Sequence, residues 1–88
     1  MQIRFFKPFD ELAEKGEIQL KVDKPILVKE LFSLIEKQIP SFERYVKKEN
    51  DEIQSFFVLF VRGDEILKMD ECVRDDDVIK VLPPISGG

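Results

Sequence analysis

The sequence predicts a small two-layer α+β domain, with one main helix packed on one face of a mixed sheet of four to five strands. Three observations carry that expectation. Two segments near the start, "MQIRFFK" (Met1–Lys7) and "EIQLKV" (Glu17–Val22), alternate apolar and polar residues with period two. From Val28 the period changes to 3.6, with Val28, Leu31, Phe32, Ile35 and Ile39 on one face and Lys29, Glu30, Ser33 and Glu36 on the other. Strand patterning then returns in the second half of the chain.

Taken in order, Met1, Ile3 and Phe5 fall on one side of the first strand and Gln2, Arg4 and Phe6 on the other. Pro8 ends that strand. "FDELAEK" (Phe9–Lys15) suits about two helical turns stopped by Gly16. In the second strand Ile18, Leu20 and Val22 point inward, and Glu17, Gln19 and Lys21 outward. The short link makes these two strands an antiparallel pair. "DKP" turns the chain into the helix, which stops at "QIP" because Pro40 disfavours a helical backbone at Ile39. Ser41–Ser55 is polar and weakly patterned, and reads as a long loop with a helical turn near Glu43–Lys47. "FFVLFVRG" (Phe56–Gly63) is apolar at both parities, so it is either a central strand or one with a sticky outer face. "GDE" turns into a short strand at Ile66–Met69, and "VIKVL" (Val78–Leu82) is the last strand. The helix is a crossover that permits a parallel pairing in the middle of the sheet.

Composition narrows the chemistry. The chain has 88 residues, 43% hydrophobic and 36% charged, enough for one modest core. Its longest apolar run, Phe56–Val61, falls far short of the roughly 20 residues of a membrane helix. No signal peptide pattern is visible, so a cytoplasmic location and no membrane partner are expected. There is no histidine and one cysteine, Cys72. Ser-His-Asp triads, histidine metal sites, internal disulfides and CxxC redox chemistry are therefore excluded. Acidic neighbours in "MDECVRD" favour a small, partly buried structural role for Cys72 over a reactive one. Asp75–Asp77 lacks a calcium-loop spacing and reads as a solvated turn. A formal charge of −4 disfavours nucleic acid.

The end of the sequence, "KVLPPISGG", points elsewhere. Pro83 and Pro84 fix φ near −65° and lack an N–H, so they end the sheet ladder and hold the last few residues extended. Gly87 and Gly88 have no side chains, so another protein can close around their backbone. The division expected is a folded domain over residues 1–82 and an extended tail over 83–88.

Strand–strand–helix–strand–strand, ending in Gly87-Gly88, resembles the β-grasp order of ubiquitin and its relatives. "VLPPISGG" resembles the ending of the small subunit of molybdopterin synthase (molybdopterin converting factor subunit 1). The likeness spans nearly the whole chain. Two departures are the long Glu43–Ser55 loop and Asp76, which stands where many relatives have glycine.

The resemblance implies a ubiquitin-like sulfur carrier with no bound cofactor and no active site of its own. An adenylating (activating) enzyme would use ATP to activate the Gly88 carboxylate, and a sulfur donor would convert it to a thiocarboxylate. Pro83, Pro84, Ile85, Ser86 and Gly87 would insert into the large subunit of molybdopterin synthase. Related carriers serve thiamin synthesis or tRNA thiolation, and others are protein modifiers attached through the terminal glycine. A plain interaction module with an inert tail is the alternative from another class.

Strand parity adds a docking patch. Ile3, Phe5, Ile18, Leu20, Leu59, Val61, Ile79 and Val81 are expected to face the helix. Phe6, Phe56, Val58, Phe60, Val78 and Leu82 would then share the outer face, with Phe6, Phe60 and Leu82 at its centre. Counted from Arg62-Gly63, Phe60 also falls where ubiquitin carries an apolar binding residue.

Overall fold

The computed structural model describes residues 1–7, 9–45, 47–49, 52–54 and 58–83. The elements are β1 (Gln2–Phe5), a 3-10 turn (Phe9–Leu12), β2 (Glu17–Gln19), β3 (Ile26–Leu27), α1 (Val28–Gln38), a second 3-10 segment (Pro40–Tyr45), β4 (Lys47–Glu49), β5 (Glu52–Gln54), β6 (Leu59–Arg62), β7 (Glu65–Ile66), β8 (Cys72–Val73) and β9 (Val78–Leu82). A five-stranded sheet runs in the order β2-β1-β9-β6-β7. β1 and β9 are parallel at its centre, and the other pairs are antiparallel. One helix on one face of this mixed sheet is the β-grasp arrangement.

Local chemistry accounts for most element ends. Gly16 adopts φ 69°, the left-handed conformation that lets the chain turn into β2. Gly63, at φ 62°, does the same between β6 and β7. Leu27 precedes α1 with no side-chain cap. Instead, the Val28 N–H donates to Glu71 O at 2.9 Å and the Lys29 N–H to Met69 O at 3.2 Å. Backbone from the loop before β8 thus satisfies donors that a helix start leaves open. α1 ends at Gln38, two residues before Pro40.

The core lies between α1 and the sheet. Ile3, Phe5, Ile79 and Val81 from the two central strands meet Val28, Leu31, Phe32 and Ile35 from α1, all buried. Ile18, Leu20 and Val22 pack against its edge. An aromatic row runs through it. Phe60 stacks on Phe32 at 4.4 Å between ring centroids, Phe32 on Phe42 at 5.9 Å, and Phe42 meets Phe5 edge-on at 6.4 Å.

Several expectations need correction. Val58 and Phe60 are each 2% exposed, so they belong to the core and cannot line an outer patch. β6 presents Leu59 and Val61 outward instead, because Phe60 pairs with the inward Val81, while Leu59 pairs with Leu82 and Val61 with Lys80. The polar Ser41–Ser55 stretch holds more than a loop with one helical turn near Glu43–Lys47. It supplies a 3-10 segment that buries Phe42 and a two-stranded hairpin, β4–β5. Phe9–Lys15 forms only a 3-10 turn, and the strand expected over Ile66–Met69 is confined to Glu65–Ile66. Cys72 is exposed rather than partly buried.

The facing of β6 is directly testable. Phe60→Ala is expected to lower stability in urea titration by about 3–5 kcal/mol, the usual cost of emptying a buried aromatic site. Leu59→Ala should cost clearly less. The opposite ranking would mean that β6 shows its other face to the helix.

Candidate functional site

The region of interest is the root of the tail and the sheet face beside it. β9 ends at Leu82, and Pro83 comes next, half-buried. Pro84, Ile85, Ser86, Gly87 and Gly88 lie outside the described residues, as does Phe56.

The register defines what the outer face offers. One row crosses all five strands, from Glu17 through Arg4, Lys80 and Val61 to Ile66. Its β2 side is charged and its β7 side apolar. A second row lies nearer the tail. There Leu82 pairs with Leu59, and Phe6 lies beyond β1 with its N–H on Val81 O at 3.0 Å. A third row, Gln19, Gln2 and Val78, occupies the far end. Among the described residues, Phe6, Ile66 and Val78 are the exposed large apolar side chains. The sequence placed Phe6 and Leu82 on this face. It missed Leu59, Val61 and Ile66, whose signal was the Gly63 turn that pairs Val61 with Ile66 and Arg62 with Glu65.

At the other end of β9 a hydrogen-bonded loop fixes how the strand enters the sheet. Asp77 Oδ2 accepts from the Arg74 N–H at 2.8 Å and from the Arg62 guanidinium at 3.1 Å. The same guanidinium donates to Cys72 O at 3.0 Å. Asp75 Oδ1 accepts from the Val22 N–H at 2.9 Å and lies 3.6 Å from the Met1 ammonium, which itself donates to Leu20 O at 2.6 Å. The Val22 hydrogen bond holds the Asp75 carboxyl below its ordinary value of 3.8. Desolvation opposes that shift, and the charges of Met1 and Lys21 reinforce it.

Among the described residues no group of three or more acidic or cysteine side chains is placed to hold a metal ion. Among the described residues no helix is long and apolar enough to cross a membrane. What the geometry provides is an outer sheet face with apolar rows beside the end of β9.

The model of the ThiS family matches residues 3–88. The chain belongs to the ThiS family. Solved structures share the fold of this ThiS-family chain. SAMP1 from Haloferax volcanii superposes with a TM-score of 0.78 at 22% identity, covering 99% of this chain and 97% of that one. A Pyrococcus furiosus protein named for molybdopterin converting factor subunit 1 gives 0.75 at 24% identity, with 96% and 95% covered. The Haloferax volcanii HVO 2177 protein gives 0.74 at 23%, with 99% and 84% covered. The chain is thus a ubiquitin-like β-grasp domain of the ThiS family.

The Asp75 contact predicts a pH dependence. A carboxyl whose folded pKa is lowered contributes stability that is present above its unfolded pKa and lost as pH falls through the folded one. Asp75→Asn should therefore unfold at lower denaturant than the unmodified chain at neutral pH, and that gap should narrow below about pH 4. A gap of constant size across the acid range would mean that the Val22 contact does not depend on the charge.

Proposed function

We propose that the chain is a sulfur carrier whose Gly88 carboxylate is the reacting group, serving as the small subunit of a molybdopterin synthase. The observation that carries this reading is the family match, which runs through the Gly87-Gly88 pair. It is supported by the Pro83-Pro84 element before that pair, and by the likeness in fold to a protein named for molybdopterin converting factor subunit 1.

On this reading the chain supplies a presented main-chain acid and no side-chain catalyst. A Gly88 carboxylate oxygen attacks the α-phosphorus of ATP on an activating enzyme, and pyrophosphate leaves. A hydrosulfide-equivalent donor then attacks the carbonyl carbon and displaces AMP, leaving a thiocarboxylate. Within the large subunit that sulfur would pass to the pterin precursor. A dithiolene needs two sulfurs, so two loaded carriers are used per product. Two prolines reduce the entropy lost when the tail enters a narrow channel. Leu59, Val61, Phe6, Leu82 and Ile66 form the docking face on the outer sheet, in place of the patch centred on Phe60.

A second reading uses the same acyl-adenylate: a lysine amine of a target displaces AMP and forms an isopeptide, making the chain a modifier. Delivery of sulfur to thiamin or tRNA differs only in the acceptor. Intact mass separates these products. A carrier from native cells is heavier by the difference between one sulfur and one oxygen atom, whereas a modifier appears in larger conjugates.

Deleting Gly88 is expected to abolish adenylation by the cognate activating enzyme, read as ATP–pyrophosphate exchange, while the circular dichroism spectrum stays unchanged. Retained exchange would remove the terminal acid from its role. The docking face gives a separate expectation. Leu59→Asp should weaken binding to the activating enzyme about tenfold or more, with the fold intact. Unchanged affinity would place the docking surface elsewhere.

A further inference from the structure

Strand β2 is an outer edge of the five-stranded sheet. Its even-numbered neighbourhood is committed to β1. The Leu20 N–H donates to Met1 O at 2.8 Å, the Met1 ammonium donates back to Leu20 O, and the Phe5 N–H donates to Gly16 O at 2.8 Å. Ile18 lies opposite Ile3 between them. Antiparallel ladders alternate, so the N–H and C=O groups of Glu17, Gln19 and Lys21 point away from β1, off the sheet. No proline interrupts Glu17–Val22.

We propose that this edge pairs with the same edge of a second copy of the chain, antiparallel, about a two-fold axis at Gln19. Two five-stranded sheets then join into one. The order Glu17-Ile18-Gln19-Leu20-Lys21 is complementary to its own reverse. In this register Glu17 faces Lys21 of the second copy, and Lys21 faces Glu17, on the outer side of the sheet. Gln19 meets Gln19. Each of these is a hydrogen-bonded position, as the free backbone groups require.

Ile18 and Leu20 of opposite copies fall at the positions between, where side chains approach most closely, on the α1 side. A cleft of about 470 Å³ lies there, where Ala13, Ile18 and Ile39 are flanked by Glu14, Lys15 and Gln38, and the incoming Leu20 meets its apolar part. Other hydrogen-bonded registers lose this match. An axis at Ile18 sets Lys21 against Lys15 and leaves Glu17 facing Gln19, and one at Leu20 sets Glu17 against Asp23; axes at Glu17 and Lys21 oppose two carboxylates and two ammonium groups. Charge complementarity therefore selects the axis at Gln19 and a second copy as the occupant. β1 separates this edge from β9, so the tail root and the outer apolar rows remain open in the dimer. A contact through one strand edge is small and belongs to the weak, reversible class.

Sedimentation equilibrium of the full chain, from about 10 µM to about 1 mM, reads this directly. A monomer–dimer equilibrium is expected, with Glu17→Lys and Lys21→Glu each reducing the dimer at least about tenfold and the double exchange restoring it. Only a reciprocal contact predicts that rescue; an extended peptide from another protein would not need both charges. Amide exchange of the unmodified chain gives a readout free of folding effects. At high concentration Glu17, Gln19 and Lys21 should gain protection, while Ile18 and Leu20 stay unchanged. A monomer across the whole range, a dimer indifferent to both single exchanges, or protection confined to β7 would each overturn the proposal.

Discussion

The parallel pairing of β1 with β9 is the constraint on which the rest of this domain depends. It joins the first strand of the chain to the last, with Ile3 beside Ile79 and Phe5 beside Val81, all four under α1. Every other strand of the main sheet takes its place from that pair, β2 from β1, β6 from β9 and β7 from β6. The pair also fixes the outer face, since Arg4 and Lys80 must lie together on it. Phe5 and Val81 are its last inward residues, so β9 ends at Leu82 and Pro83 leaves the sheet at a defined point. So distant a contact forms only after a large loop has closed. The Gln2 N–H on Asp77 O at 3.1 Å and the Met1 ammonium on Leu20 O secure the start of the register.

Both strands of this pair were legible from their periodic inward residues, and the crossover helix implied a parallel pairing mid-sheet, but not which two strands form it. β2 and α1 were legible for the same reason, each with a periodic apolar face and a glycine or proline at one end. β6 was not. Residues 58–61 are apolar at both parities, so periodicity cannot choose a face, and a one-residue slip turns every side chain over. Arg62 shares Phe60's parity, and a charge there suggests solvent. In the fold its guanidinium reaches Cys72 O and Asp77, a contact between segments ten and more residues apart that local pattern cannot report. Phe42 was hidden differently. A single aromatic in a polar stretch carries no period, yet it completes the stack on Phe32 and Phe5. β3 and β8, two residues each, are too short to carry any period.

The candidate site divides along the same line. The tail is read from composition alone, Pro83 and Pro84 for rigidity and Gly87 and Gly88 for bare backbone, and residues 84–88 lie outside the described residues. The docking face depends on register. The outer placing of Phe6 and Leu82 followed from the parity of the first and last strands, whereas the apolar run at residues 58–61 offered no parity to show that Val58 and Phe60 are buried.

Register also gives the outer face a direction. Along the row from Glu17 to Ile66, charge gives way to apolar surface between Lys80 and Val61, so the face is graded across the strands. The end of the central strand β9, beside Phe6 and Leu59, supplies a second direction. A partner that buries the apolar side, matches the charged side and receives the tail satisfies two crossed axes together. Turning that partner half a turn about the sheet normal would set apolar surface against Arg4 and Lys80 and strip water from charges left unpaired. On the proposed reading, one face and one strand end therefore specify a single docking orientation.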